Sequence, residues 1–411
     1  MARVDVPAAR RPAGLAALTP GLAAAVLAAL LALQPVSTDI LVPALPVLSR
    51  ALGAPPSAAQ LTMAAMMLGF GFAQLVWGPL ADRAGRRPVL LAALALFVAA
   101  CAGGALAENI GALVAWRALQ GAAMAAAVVL ARAIVRDLYE PHEGAQVMAR
   151  AQSGLGAIAI VSPALGGLAV GFGGWRAAPA LMAVIGAGTL AFVALRLPET
   201  RPPRRALAPP LFSAWGGVLR HPSFVAWTLL NACSYAGLFV VLSGSSFVYM
   251  NRFGLSAGAA GLTIASGSLA FLGGTLACRH WIVRHGMVAA AVRGGFFTLA
   301  GGLGTAAAAL AGIESVWPFL LAQWLFSFGH GIHQPCGQAG AVGPFPQQAG
   351  VASALSGFVL ALACFAVGAW LGAVQGADVR PYALTLAFWA AATAAVAWTL
   401  VRRLQTSIPV P

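Results

Sequence analysis

Residues 78–88 read Gly-Pro-Leu-Ala-Asp-Arg-Ala-Gly-Arg-Arg-Pro and separate two long apolar runs. They hold three arginines and one aspartate in a chain of which only 8% is charged. A polar segment this short between two apolar runs predicts a tight turn at a membrane surface. Because arginine-rich short loops stay on the cytoplasmic side of a membrane, the turn also predicts the orientation of the neighbouring helices.

The composition predicts an all-α polytopic membrane protein. Of the 411 residues, 60% are hydrophobic, which is more than a soluble domain can cover with polar surface. Apolar runs of about 20 residues recur, each long enough to cross a bilayer as a helix. All 24 Lys or Arg residues are arginines, and about 19 fall on predicted cytoplasmic segments, so the net charge of +14 indicates orientation in a membrane rather than nucleic-acid binding.

Twelve transmembrane helices are predicted, in two pseudo-symmetric six-helix halves. Because the number is even, both termini are expected in the cytoplasm, where Arg3, Arg10 and Arg11 precede the first span and Arg402 and Arg403 follow the last. No signal-peptide cleavage site is evident, so the first apolar run is interpreted as a retained span. The spans are expected near 17–38, 60–80, 88–107, 110–132, 148–170, 176–196, 223–248, 257–280, 287–311, 315–335, 348–372 and 381–401.

Three segments between the spans are predicted to differ from the helices. Prolines in 40–56 disfavour helix there, and the charged segment 132–150 is expected to form a short surface helix. The stretch 197–222 is rich in Pro and Arg, which predicts an irregular cytoplasmic linker. It would join an N-terminal six-helix bundle, 1–196, to a C-terminal six-helix bundle, 223–411.

The two halves resemble each other at one turn. Residues 82–85 read Asp-Arg-Ala-Gly after the second span, and residues 283–286 read Val-Arg-His-Gly after the eighth, 201 residues later. An offset close to half the chain is what a duplicated six-span unit predicts. Transporters built from such parallel repeats bind substrate between the halves, near the middle of the membrane.

Asp39 and Arg117 are the candidate proton-coupling residues. A carboxylate in a medium of low dielectric constant has its charged form disfavoured and can exchange protons near neutral pH; alternatively, Asp39 lies just outside the bilayer. Arg117 is predicted roughly 10 Å inside the fourth span, where an arginine indicates function unless it snorkels to the surface. The two side chains could form an ion pair that protonation of Asp39 would weaken.

Other residues suggest where a helix bends and where substrate binds. Ser162 and Pro163 precede Gly166 and Gly167 in the fifth span, which predicts a bend against a neighbouring helix or a tolerated kink. The methionines in the second span suit either a promiscuous substrate pocket or ordinary packing. His330 and His333 suit titration, substrate contact or plain hydrogen bonding. The tentative substrate cavity comprises Gln34, Met63, Met66, Met67, Phe70, Gln120, Met124, Asn231, Tyr235, Gln323, His330 and His333.

No enzyme or cofactor motif is found in the sequence. The chain contains no lysine and therefore no nucleotide-binding P-loop. Its five cysteines lack the spacing of a metal site or a disulfide framework. We therefore expect no catalytic residue, no metal and no cofactor, and any transport would take its energy from an ion gradient.

Seven motifs together resemble the major facilitator superfamily, and within it the drug:proton antiporters of the bicyclomycin and chloramphenicol resistance group. The strong matches cover roughly residues 30–200. The motifs are the loop 78–87, Arg117-x-x-Gln120-Gly121, Thr38-Asp39-x-x-x-Pro43-Ala44-Leu45-Pro46, Gln74-Leu75-x-x-Gly78-Pro79, Arg136-Asp137-Leu138-Tyr139, Gly173-Gly174-Trp175-Arg176 and Leu197-Pro198-Glu199-Thr200.

The resemblance implies a role for several of these residues. Asp39 would couple transport to protons with Arg117 as its partner, and Asp82 would face the start of the eleventh span and help to close the inner gate. Because Val240 and Val283 stand at the positions offset from Asp39 and Asp82, proton coupling is expected in the first half only. The gating loop would comprise Gly78, Asp82, Arg83, Gly85, Arg86 and Arg87, with its arginines anchored to headgroups and acidic groups, and the antiporter bend Pro163, Gly166 and Gly167.

The predicted function is proton-coupled efflux of small lipophilic drugs, cationic or neutral, across the bacterial inner membrane by alternating access. The expected partners are a small-molecule substrate, protons and lipid, and the expected state is a monomer. The main alternative is a proton-coupled transporter of a specific metabolite such as a sugar or amino acid. A membrane scaffold or sensor without transport is least favoured, because it would leave Asp39 and Arg117 without a role.

Overall fold

The structure is a computed structural model that describes residues 19–201, 215–374 and 378–406, and every regular element in these ranges is helical. Short 3-10 or π-helical turns occur at Val42–Ala44, Val248–Arg252, Pro346–Gln348 and Ala397–Val401. The α-helices are α1 (Pro20–Asp39), α2 (Leu45–Ala51), α3 (Pro56–Ala84), α4 (Arg86–Ala105), α5 (Ile110–Leu138), α6 (Pro141–Gly173), α7 (Ala177–Arg196), α8 (Trp215–Arg220), α9 (Pro222–Phe247), α10 (Ala257–Leu310), α11 (Val316–Val342), α12 (Ala349–Val374), α13 (Arg380–Val396) and α14 (Arg402–Thr406).

The helices begin where local sequence satisfies their free N–H groups. The side chain of Thr19 accepts a hydrogen bond from the third residue of α1, and Asn109 and Ser256 cap α5 and α10 in the same way. Other helices begin with proline, whose missing N–H is not needed in the first turn. These first-turn prolines include Pro20, Pro56, Pro141 and Pro222.

The described residues contain helices for twelve membrane crossings, as predicted. Ten helical segments are long and apolar enough to span one. One of them, α10, has 54 residues and is broken at Gly286, so its two arms make two crossings. In addition α11 has 27 residues, and polar side chains such as Gln323 and His330 lower its hydropathy. The fold is therefore an all-α bundle of two six-helix halves.

The repeated turn predicted at Gly85 and Gly286 has the same backbone conformation in both halves. Gly85 has φ 102° and ψ 152°, and Gly286 has φ 81° and ψ 166°. A positive φ is open to glycine at little cost and is rare for other residues. Both turns lie at one end of the bundle, the Gly85 face, and the opposite end, where α1 finishes at Asp39, is the Asp39 face.

Two predictions about the connecting segments are wrong. Residues 40–56 contain the helix α2, because Pro46 occupies its first turn, where a missing N–H costs nothing. Residues 132–150 do not form a separate surface helix, since α5 continues to Leu138 and α6 begins at Pro141. The division into domains at 197–222 stays a prediction, because residues 202–214 lie outside the described residues. The arginines predicted to precede the first span in the cytoplasm also lie outside them.

The halves meet along two seams. In one seam α3 packs on α12, and in the other α6 packs on the first arm of α10. The halves are also joined by side-chain-to-backbone hydrogen bonds. Gln60 donates to the carbonyl of Ser243 (3.4 Å), and Ser268 donates to the carbonyl of Ala159 (3.1 Å). Within the halves, α1 packs on α5 and α9 packs on α11.

Candidate functional site

Arg117 is buried inside the first half. It lies two turns into α5, and its side chain is 2% exposed. Its guanidinium donates to Oε1 of Gln120 (2.6 Å), to the carbonyl of Ser37 (2.8 Å) and to the sulfurs of Met66 (2.8 Å) and Met63 (3.5 Å). The expectation that Arg117 could snorkel to the surface is therefore wrong, because its donors are held by groups in the protein interior.

Not every N–H group of Arg117 has a strong hydrogen-bond acceptor. Met182 of α7 adds a third sulfur at 3.9 Å, and thioethers are weak acceptors. The Nε of Arg117 has no hydrogen-bond partner among the described residues. Gln120 is itself fixed by the hydroxyl of Ser37 at 3.2 Å. A buried cation with so few strong acceptors indicates a functional site rather than a structural ion pair.

Asp39 ends α1 and is enclosed by the segment that follows it. Its side chain is 9% exposed, and the hydroxyl of Thr38 donates to its Oδ1 (2.6 Å). Asp39 is therefore a buried helix-end residue, and its position relative to the bilayer stays a prediction. The predicted ion pair is not formed here: in the part of the chain that the structure describes, Arg117 reaches the carbonyl of Ser37 and not Asp39. The two residues occupy the same region and are linked through the last turn of α1.

The predicted bend in α6 lies against the end of α1 and against the other half. The helix continues through Pro163 to Gly173, so the proline does not end it. A Cβ on Gly166 would overlap the carbonyl of Ile40, the residue after Asp39, and one on Gly167 would meet the carbonyl of Ala257 in α10. The segment therefore joins the Asp39 region to the seam between the halves.

The turn at residues 78–87 is held by a buried arginine. Arg86 is 1% exposed and lies 2.6 Å from a carboxylate oxygen of Asp82 and 2.9 Å from one of Asp137. Asp137 comes from the motif 136–139, so Arg86 ties the ends of α3 and α5 to the start of α4. Gly78, about one helical turn before Asp82, faces Val129 of α5. Arg86 makes the contact with acidic groups that is predicted for the arginines of this loop. The gating role of the loop stays a prediction.

Glu199 caps the start of α4. Its carboxylate accepts from the backbone N–H groups of Arg86 (2.9 Å), Arg87 (3.1 Å), Thr200 (3.0 Å) and Arg201 (2.9 Å). Partial burial raises the pKa of this carboxyl, but the four hydrogen bonds outweigh it and hold the pKa below its usual value. The motif 197–200 therefore stabilises the start of α4.

Arg87 connects the turn at residues 78–87 to the end of α7. Its guanidinium donates to the carbonyls of Leu197 (2.9 Å) and Ala194 (2.9 Å), the free acceptors at the end of α7. Arg83 is exposed, and Arg201 donates to its carbonyl. Acidic and basic groups thus link the ends of α3, α5 and α7 to the start of α4 at the Gly85 face.

The predicted cavity residues separate into two groups. Met63, Met66 and Gln120 surround Arg117, and Met67, Phe70, Met124 and Asn231 are buried. In contrast, Gln34 and Tyr235 are half-buried. The Nε2 of Gln334 donates to the Tyr235 hydroxyl (2.7 Å).

The three polar residues predicted on α11 do not share one environment. The hydroxyl of Tyr249 donates to Gln323 towards the Asp39 face. Nδ1 of His330 lies 2.8 Å from Ser234 of α9. His333 instead faces the second arm of α10, where its Nε2 donates to the carbonyl of Ala291 (3.0 Å). The two histidines, three residues apart on α11, therefore contact different neighbouring helices.

Arg132 is a residue of the site that sequence analysis missed. It was assigned to a cytoplasmic segment, but α5 extends beyond it to Leu138. Its side chain is exposed, and its Nη1 donates to the hydroxyl of Ser353 on α12 in the other half. The spacing from Arg117 is 15 residues, about four helical turns, and this spacing could have placed both arginines on nearby faces of one helix.

Comparisons with known proteins agree with this architecture. Residues 27–369 match the sequence profile of the Major Facilitator Superfamily. The chain is 30% identical to multidrug resistance protein D of Escherichia coli over 337 residues, 80% of this chain and 82% of that protein. It is 31% identical to a chloramphenicol resistance protein of Pseudomonas aeruginosa over 324 residues, 77% of this chain and 75% of that protein.

A solved structure agrees in fold. The partially occluded, inward-open xylose transporter XylE of Escherichia coli aligns with a TM-score of 0.75 and 15% identity, over 95% of this chain and 98% of that one. At this identity the likeness concerns the fold alone. With the sequence profile matching most of the chain, the conclusion is that this protein belongs to the major facilitator superfamily.

Proposed function

We propose that the chain exports small lipophilic drugs across the bacterial inner membrane in exchange for protons. The observation that carries the proposal is a carboxylate, Asp39, buried at the end of a membrane helix whose preceding turn binds the buried Arg117. Similarity to proteins named for multidrug and chloramphenicol resistance supports drugs as the substrate class. The chain would act as a monomer without a cofactor, with the arginine-rich Gly85 face and both termini in the cytoplasm.

The contacts of Asp39 support a switch. When ionised, its carboxylate attracts the Arg117 guanidinium, whose present acceptors are neutral. A proton on Asp39 removes that attraction and leaves Arg117 on the carbonyl of Ser37 and on Gln120. Protonation of Asp39 therefore determines which of two positions the Arg117 side chain occupies, and the last turn of α1 moves with that side chain.

The same region supports a path from the proton to the gate. Asp39 is followed by Ile40, whose carbonyl lies against Gly166 of α6. One residue on, Gly167 lies against the carbonyl of Ala257 in α10 of the other half. A shift at the end of α1 therefore presses on the seam that closes the Asp39 face, through directly packed backbone.

In the proposed cycle, Asp39 binds a proton in one state and releases it in the other. With the Asp39 face open, drug leaves and a proton from outside binds the carboxylate. With the Gly85 face open, the proton is released to the cytoplasm and drug binds in its place. Each ligand shifts the equilibrium between the two states only by its difference in affinity for them.

The test is drug accumulation in cells that lack their own exporters. Expression of the chain should lower the steady-state level of radiolabelled chloramphenicol or bicyclomycin, and an uncoupler that collapses the proton gradient should restore it. Cells carrying the empty vector are the control. An unchanged level for every drug in the panel would reject drug export, and a lowered level that survives the uncoupler would reject proton coupling.

A further inference from the structure

Arg132 lies in the space between the two halves. Its side chain is exposed although α5 is an interior helix, and its Nη1 donates to the Ser353 hydroxyl across the seam on α12. An exposed side chain that touches the opposite half faces the space that the halves enclose. Arg132 is nearer to the Gly85 face, four helical turns beyond Arg117.

The wall opposite Arg132 is polar and aromatic. Tyr235 of α9 is half-buried and interacts electrostatically with Arg132 and with Asp39. Gln334 of α11 is also half-buried and donates to that hydroxyl (2.7 Å). The space therefore has an aromatic side chain and several hydrogen-bond donors on one wall, and a guanidinium on the other.

The charge of Arg132 is not neutralised by a carboxylate in the described ranges. Its one hydrogen-bond partner there is the neutral hydroxyl of Ser353. The acidic groups of the neighbouring helix ends, Asp82 and Asp137, are bound to Arg86. No acidic residue of the second half can reach it either, because the sequence has only two there, both in loops at the Asp39 face.

Those two acidic residues have their own partners. Glu314 lies 3.8 Å from Arg252, and Asp378 lies 3.9 Å from Arg380. The space beside Arg132 therefore has a positive charge on one side, and Tyr235 and Gln334 supply hydroxyl and amide groups on the other. An anion entering it would gain a charge-assisted hydrogen bond, whereas a cation would be repelled.

We propose that the central space binds amphiphilic molecules that carry one carboxylate, and that Arg132 binds this carboxylate. The guanidinium offers two parallel N–H donors to a carboxylate, which displaces the weaker neutral acceptor Ser353. The apolar part of the ligand packs on the ring of Tyr235. The inference rests on the proposed export function and narrows it, because the expected cationic or neutral drugs do not use this arginine.

The rival explanation is that Arg132 only fastens α5 to Ser353 of α12. In that case its removal would loosen the contact between the halves and would weaken every ligand alike. The proposal instead requires a loss confined to ligands that carry the carboxylate. A pair of probes that differ only in that group separates the two explanations.

The experiment uses the purified full chain in lipid nanodiscs at pH 7, with dansylglycine and its neutral amide, dansylglycinamide, as fluorescent probes. The wild type should bind the acid about tenfold more tightly than the amide, the size of one charge-assisted hydrogen bond. Arg132→Gln should remove this preference and leave the Kd of the amide unchanged, which also shows that the variant is folded. Arg132→Lys should keep part of the preference, and Ser353→Ala should keep all of it.

Two results would overturn the inference. One is a wild type that binds acid and amide equally or binds neither, and the other is an Arg132→Gln variant that weakens both probes by the same factor. Binding needs no proton gradient, so this test is independent of transport. Export of chloramphenicol without discrimination between the probes would reject the anion site alone, and discrimination without export of any drug would reject the proposed function alone.

Discussion

The guanidinium of Arg117 donates a 2.8 Å hydrogen bond to the backbone carbonyl of Ser37, two residues before Asp39. This bond ties α5 to the last turn of α1, where the buried carboxylate lies. Because the arginine contacts the backbone rather than the carboxylate, Asp39 is free to gain or lose a proton without breaking an existing ion pair. In the proposed exchange of drug for protons, the position of Arg117 would then depend on the protonation state of Asp39.

The geometry of Arg117 predicts that a positive charge at this position is not sufficient for proton-coupled export. Arg117→Lys keeps a cation but loses the planar fork that reaches Ser37, Gln120 and Met66 together. We expect the initial rate of proton-coupled chloramphenicol export to fall at least tenfold, which corresponds to about 1.4 kcal/mol. Arg252→Lys, at the exposed end of the helical turn Val248–Arg252, is the matched control and should keep the wild-type rate. An Arg117→Lys variant that exports at the wild-type rate would show that its contacts are not part of coupling.

Close packing of α6 on α1 predicts a strong effect of one added methyl group. In Gly166→Ala the new Cβ would overlap the carbonyl of Ile40, so α6 must move or strain. Overpacking of this kind costs about 1–3 kcal/mol, and we expect a lower Tm together with slower export. Gly156→Ala, on the same helix with no atom within 4 Å of its Cβ, is the control. Equal Tm values and export rates for the two variants would contradict the account.

The cap on α4 predicts a smaller and local effect. Glu199→Gln removes the charge that faces two backbone N–H groups at the start of α4, and we expect a loss of roughly 0.5–1 kcal/mol of stability because the residue is exposed. Glu140→Gln is the control, since Glu140 precedes α6 without a side-chain capping bond. Thermal unfolding in detergent at pH 7 measures both, and a Tm loss of the same size in both variants would argue against the cap.

The capping effect also has a predicted pH dependence. The folded pKa of Glu199 lies below its ordinary value of 4.5, so its contribution to stability is complete above that pH. As the pH falls through the lower folded pKa, protonation removes the contribution, and wild type and Glu199→Gln should converge in Tm. A difference that persists unchanged at lower pH would mean that the charge of Glu199 is not what stabilises α4.

The sequence predicts the membrane architecture well because hydropathy and turn chemistry are local. Apolar runs correctly located the twelve crossings, and the repeat at Gly85 and Gly286 correctly indicated two equivalent turns. Helix ends were less predictable. Pro46 and Pro141 are compatible with either a loop or a first helical turn, and tertiary packing selected the helix at both positions.

Side-chain partners across helices were not predictable from one sequence. Arg117 was correctly expected to be buried, but its acceptors come from α1, α3 and α7, whose relative rotation the sequence does not specify. Arg132 was missed because the end of α5 was placed too early. The different partners of His330 and His333, on α9 and on the second arm of α10, were not predictable either.

The central claim is tested most directly in everted membrane vesicles that hold a proton gradient and a fluorescent pH probe. Chloramphenicol added to wild-type vesicles should dissipate the gradient as drug and protons exchange, and Asp39→Asn at equal expression should abolish the response. Asp378→Asn, which removes an exposed loop carboxylate paired with Arg380, should respond as the wild type does. The same response from Asp39→Asn as from wild type would contradict the account, because protons would then cross without the buried carboxylate.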